Sequence, residues 1–149
     1  MKKRKRIAVL FLCLFLTGCS NQFAREEYNS VKHIAGQEDR YAKEDSMFNP
    51  IEGGYSFVVS RFDGRETLKT WNVQEEKELE LEIIFSLTAG QGKLVHIDAD
   101  GTVTTIQECT PEVSATVVKT ITLKKGQNRL RFVGYDCENI DLKMYFEEP

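Results

Sequence analysis

The chain has 149 residues and a formal charge of −3, from 20 Lys and Arg against 23 Asp and Glu. That length supports one domain with its own core. An excess of acid, with no basic stripe interleaved with aromatics, excludes nucleic acid as a partner.

The first element is Met1-Lys2-Lys3-Arg4-Lys5-Arg6, five consecutive cations, followed by an apolar run from Ile7 to Leu16. Ten such residues make a helix of about 15 Å, half the thickness of a bilayer's hydrocarbon core, which is too short to span it. A basic start, a short apolar middle and a small-residue end are the organisation of a secretory signal peptide, so the sequence predicts export.

Leu16-Thr17-Gly18-Cys19 also resembles the lipobox of bacterial lipoproteins, at all four positions. The resemblance implies a diacylglyceryl group on the Cys19 thiol, cleavage between Gly18 and Cys19, and a mature chain that begins with the lipidated cysteine. Two acyl chains hold a protein stably where one holds it marginally. The expected place is the extracytoplasmic face of the cell membrane. Loss of residues 1–18 leaves 15 cationic against 23 acidic side chains, a net charge of −8. It also removes Cys13, and with Cys19 acylated only Cys109 and Cys137 remain. In an exported chain that pair is a candidate disulfide, worth about 3.5 kcal/mol on the chain-entropy model, with two free thiols as the alternative.

Residues 19–52 read as a lipidated cysteine and spacer. Ala24, Tyr28, Val31 and Ala35 fall at helical spacing and predict a short helix before Gly36. Gln37 to Asp45 is charged and nearly without aliphatic residues, and Asn49-Pro50 and Gly53-Gly54 punctuate its end. The favoured reading is a partly disordered tether, about 30 Å end to end.

Residues 53–149 form the expected domain, and here the period changes to two. In Glu78 to Thr88 the residues Leu79, Leu81, Ile83, Phe85 and Leu87 share one face, with Glu78, Glu80 and Glu82 on the other. That is a strand with one buried and one wet face. Eight strands are expected, near 55–62, 66–73, 78–88, 93–98, 102–107, 113–123, 129–134 and 140–146. Turns are expected at Asp63-Gly64, Gly90-Gln91-Gly92, Asp100-Gly101 and Lys125-Gly126. The fold class is therefore all-β, an antiparallel sandwich.

The series Phe62-Asp63-Gly64, Gly92-Lys93-Leu94-Val95, Asp98-Ala99-Asp100-Gly101, Leu123-Lys124-Lys125-Gly126 and Leu130-Arg131-Phe132-Val133-Gly134 resembles small lipoproteins of Firmicutes. The resemblance implies a jelly-roll or carbohydrate-binding-like sandwich; the Lys/Arg-rich leader and the turn pattern point to a Gram-positive source, and the envelope type and final membrane stay open. The resemblance implies no activity, because function does not follow from a sandwich.

Catalytic chemistry finds few residues. The two histidines are His33 in the spacer and His96 in a strand, the latter read as lying on a solvated face. No metalloprotease, nucleophile-elbow or P-loop pattern occurs. Glu78, Glu80 and Glu82 recur about 7 Å apart, but regular alternation opposite a core face reads as exposed charge rather than as a shielded acid pair. Asp98 and Asp100 are a weak calcium candidate, since an EF-hand aligned on Gly101 lacks ligands at His96 and Gln107; a hairpin turn explains the same residues. The remaining candidates are aromatics that could stack on a sugar. Trp71 shares parity with Val73, which favours burial, and Tyr145 opposes Met144 and Phe146, which favours exposure. The expectation is a non-enzymatic binding or interaction module of the cell envelope, without cofactor, contacting another envelope protein. The alternative is a glycan or small molecule bound at Tyr145 or Trp71.

Overall fold

The computed structural model describes residues 19–149, with side chains from Gln22 onward. The leader, including Gly18, lies outside the described residues, as does the Cys19 side chain. Two helices, α1 (Cys19–Asn29) and α2 (Val31–Ala35), precede seven strands. These are β1 (Arg40–Ile51), β2 (Gly54–Val73), β3 (Lys77–Ser86), β4 (Ala89–Ile97), β5 (Val103–Cys109), β6 (Ala115–Leu123) and β7 (Gly126–Tyr145). All strand pairs are antiparallel.

Two strands build both layers. β2 and β7 are each 20 residues long and pair with one another almost throughout, with a register shift between Phe62 and Gly64. The first half of β2 and the second half of β7 lie between β1 and β3, with β6 beyond β3. Their other halves lie beside β4, with β5 beyond. Between the halves is a corner that needs glycine. A Cβ on Gly64 (φ +112) would stand 2.1 Å from the Arg40 carbonyl oxygen, and one on Gly134 2.6 Å from Cys137 Sγ. So Asp63-Gly64, expected as a hairpin, is a bend inside one strand; the runs 55–62 and 66–73 merge in β2, 129–134 and 140–146 merge in β7, and the eight expected runs become six strands, with β1 an unexpected seventh before them. Gly90-Gln91-Gly92, another expected turn, lies within β4.

The layers face each other across one apolar core. Leu79, Leu81, Ile83 and Phe85 point into it from β3, as their alternation indicates. Phe132 sits at its centre, with Phe62 edge-on at 4.9 Å and Phe85 edge-on at 5.7 Å, arrangements that suit the aromatic quadrupole.

The helices cover the outer face of the β4 layer. Tyr28 and Ile34 pack there on Val95, Ile97 and Val133. Covered on both sides, the run from Gly92 to Ile97 is wholly buried. In α1 the residues Ala24, Glu27 and Tyr28 point inward, the stripe expected of a docked helix. The expected helical face does not continue. The chain breaks at Ser30, whose Oγ accepts from the His33 amide at 3.3 Å, and Val31 is 63% exposed while Ile34 takes its place.

Two expectations are corrected. The segment read as a disordered tether is ordered: β1 pairs with β2 from Arg40 to Ile51. It gave no alternation because an edge strand at the rim of a sandwich buries almost nothing. The disulfide is absent, and Cys109 and Cys137 are buried free thiols. β4 runs between them: Gly92 pairs with Cys109 on one side and with Gly134, three residues before Cys137, on the other. Two strand spacings exceed the reach of a disulfide. Each thiol donates instead to a carbonyl, Cys109 to Val113 and Cys137 to Gln91, both at 3.0 Å.

Candidate functional site

A groove of about 680 Å³ opens at the end of the sandwich opposite the corner, lined by Gly53, Tyr145, Glu78, Glu80, Glu82 and the C-terminal residues 146–149. Its floor is the outer face of the β3 layer, where Tyr145 pairs with Glu82 on one side and Gly54 on the other. The glycines leave the flank of the tyrosine ring open. Gly53, at φ +75, would bring even a Cβ to 3.9 Å from Tyr145 Cδ1. The three glutamates of β3 stand on this face through the alternation that puts Leu79, Leu81 and Ile83 in the core. Sequence reading treated Tyr145 and the glutamates separately, and the register brings them together.

The wall behind the groove is fixed by Glu148. One carboxylate oxygen accepts from Lys69 Nζ at 2.5 Å and from the Tyr55 hydroxyl at 3.2 Å, and the other from Trp71 Nε1 at 3.1 Å. Burial works against its ionisation, but hydrogen bonds from Lys69 and Trp71 outweigh it and hold Glu148 below the usual glutamate pKa. Trp71 is therefore a buttress, buried edge-on against Phe146 at 5.4 Å, with no face free for a ligand. Among the described residues, Glu78, Glu80, Glu82 and Glu147 have no ion-pair partner. The groove thus offers one aromatic ring and a row of hydrogen-bond acceptors with negative charge. Glu147 and Glu148 were missed by sequence reading, because nothing local marks the tail after a strand as part of a site.

The other sequence candidates hold structure. Asp98 and Asp100 each contact Lys124 Nζ at 2.7 Å, so an ammonium stands where the calcium reading needed a cation. Asp98 Oδ1 also accepts the Asp100 and Thr102 amides, each at 2.9 Å, which makes the hairpin turn. Among the described residues no three His, Cys, Asp or Glu side chains are grouped to hold a metal. His96, expected on a wet face, is buried, with Nε2 3.2 Å from Asn128 Oδ1. That oxygen also accepts the Lys124 amide, so the bond requires the proton on Nε2. Burial lowers the His96 pKa, against the pull of Asn128. Burial also pushes the Cys137 thiol up to about 12 and raises that of Cys109. Neither is a nucleophile near neutral pH.

No family model matches this chain, and no curated protein matches it. Among solved structures it is similar to a carbohydrate-binding module of lichenase 5A from Cellvibrio mixtus in complex with cellotriose, at 13% identity and a TM-score of 0.40, covering 74% of this chain and 90% of that one. It is also similar to a family 35 carbohydrate-binding module from Paenibacillus barcinonensis, at 15% identity and a TM-score of 0.41, covering 73% and 93%. The cupin domain of CENP-C from Drosophila melanogaster matches at 10% identity and a TM-score of 0.26, covering 71% and 75%. At these scores the likeness carries no ligand across to this chain.

Proposed function

We propose that this chain is an exported lipoprotein, moored through acyl chains on Cys19 to the outer face of the cell membrane, which displays a non-catalytic binding module. Its ligand is a glycan of neutral or amino-bearing sugars, held in the groove at Tyr145. The supporting observation is the open flank of the Tyr145 ring beside Gly53 and Gly54, facing unpaired carboxylates. An aromatic face attracts the polarised C–H bonds of a pyranose, and carboxylates accept from its hydroxyls or ammonium groups. The same charge turns away phosphorylated or carboxylated polymers. The leader and lipobox support the mooring.

Titration calorimetry with chito-oligosaccharides, acetylated and deacetylated, tests the ligand. Saturable binding weakened about tenfold or more by Tyr145→Ala, equivalent to 1.4 kcal/mol, supports the reading. No binding by either oligosaccharide, or equal binding by the variant, overturns it. The mooring requires an acylated peptide beginning at Cys19, and release of the protein from membranes by Cys19→Ala.

A second reading, a docking strip for an envelope protein, is favoured by β1. Among the described residues no strand pairs with its outer edge, and Tyr41, Met47 and Phe48 along it are exposed. On the adjoining face apolar side chains are interrupted: Ile84 stands opposite Lys143, and Val118 opposite Glu82. Crosslinking in the native envelope separates the two readings. A single abundant protein attached to β1 favours the strip, and attached wall glycan favours the groove.

A further inference from the structure

The α1 helix and the groove lie at opposite ends of the sandwich. At the corner, Arg25 of α1 reaches Asp136 at 3.6 Å and lies over the Tyr135 ring at 5.2 Å. Phe23 sits beneath the Arg40 guanidinium at 3.9 Å, and Arg40 is the β1 residue opposite Arg65, next to the Gly64 bend. At the far end, Lys69 and Trp71 close on Tyr55 and Glu148. The β2 half between these ends, residues 54–62, spans about 26 Å.

The start of α1 is also short. Cys19 is the first residue of the helix, and Ala24 is already buried against the sheet. Five helical residues cover about 8 Å. Beyond Ala24 the helix is held by the Glu27–Arg65 ion pair, by Tyr28 edge-on to Tyr135 at 5.1 Å, and by Lys93 over the Tyr28 ring at 4.2 Å. Among the described residues, helix runs unbroken from Cys19 to the buried Ala24.

We infer that α1 is itself the stalk: a bilayer holding the acyl chains of Cys19 meets the sandwich at its corner, beside Phe23, Arg25 and Arg40, and the Tyr145 groove points away from the lipid. This rests on the mooring proposed above and assigns it an orientation. The corner is chemically suited to the position. Phe23 is an exposed aromatic in the first two turns of α1, and Arg25 and Arg40, only loosely paired with Asp136 at 3.6 Å and Glu27 at 4.0 Å, keep most of their side chains exposed to meet headgroup phosphates. The inference concerns geometry, so it stands whatever the groove binds.

The experiment uses full-length protein, acylated in its bacterial host, purified and reconstituted into vesicles of phosphatidylethanolamine and phosphatidylglycerol with spin-labelled headgroups. One fluorophore is placed at the corner in Glu26→Cys and another at the groove end in Glu75→Cys, both exposed sites. Cys109 and Cys137 are buried and stay unlabelled. The expected result is quenching several-fold stronger at position 26 than at 75. Equal quenching, or stronger quenching at 75, in protein that floats with the vesicles overturns the stalk and leaves the mooring intact. Protein that neither floats nor yields an acylated Cys19 peptide overturns the mooring, and the stalk with it.

Discussion

Arg131 donates through Nη1 to the Ile34 carbonyl oxygen at 2.6 Å, joining the first third of β7 to the last turn of α2 across 97 positions of sequence. The same guanidinium reaches the Gly36 carbonyl, Asp39 and Thr67, and Arg129 takes the carbonyls of Ala35 and Gly36 at 2.7 Å each. Two cations thus satisfy the carbonyls left open at the end of a five-residue helix. Arg131 is fully buried, and burial pushes its pKa down to about 10, so it stays charged at neutral pH.

Arg131→Ala would leave several buried acceptors unpaired and Asp39 without its partner. Breaking a buried charged network in this way costs about 3–5 kcal/mol. Urea unfolding is expected to show a loss of that size, with hydrogen-exchange protection in α1 and α2 falling first. A loss below about 1 kcal/mol would mean that the helices are not fastened through this side chain.

His96 supplies a pH signature. Its pKa is lowered in the fold, chiefly by burial, so the unfolded chain takes up its proton at higher pH than the native one. Stability from this group is complete above the unfolded pKa of about 6.5 and is lost as the pH falls from there toward the folded pKa. The melting temperature should drop between pH 7 and pH 5, and His96→Gln should flatten that drop. An identical slope in the variant would assign the drop to other groups.

The thiols answer to labelling. With Cys137 raised to about 12 and Cys109 raised as well, both by burial, neither should react with iodoacetamide at neutral pH until the chain unfolds. Non-reducing mass spectra should show no two-proton loss. Rapid labelling of the folded chain, or a bridged mass, would contradict the placement of β4 between them.

Trp71 and Tyr145 should separate stability from binding. Trp71→Phe removes the donor to Glu148, a half-exposed carboxylate, and is expected to cost about 1 kcal/mol in chemical denaturation. Tyr145→Ala should change the melting temperature little while weakening the ligand. The reverse pattern would place the ligand contact at the indole.

What the sequence made legible follows from which faces are wet. β3 buries one face and exposes the other, so its alternation and the exposure of Glu78, Glu80 and Glu82 could be read directly. β1 buries neither face and has no period to read. The start of β7 was misleading for the opposite reason: Arg129 and Arg131 alternate with Leu130 and Phe132 as exposed charges would, yet α2 covers them and its carbonyls take their protons. His96 was misplaced through a similar assumption, that a polar strand residue faces water, when Asn128 supplies its partner inside. Parity did separate Trp71 from Tyr145. The groove could not be read, because Tyr145, Gly54 and Glu82 meet only through the pairing of three strands.

The account depends most on the segment after Cys19 being part of the fold rather than a tether, and amide hydrogen exchange on the full-length acylated protein tests this directly. Amides of Ala24 to Ala35, and the amides between Arg40 and Ile51 that donate to β2, are predicted to exchange far more slowly than an unstructured chain. Exchange in both segments at the rate of an unstructured chain, while β3 and β7 stay protected, would contradict it.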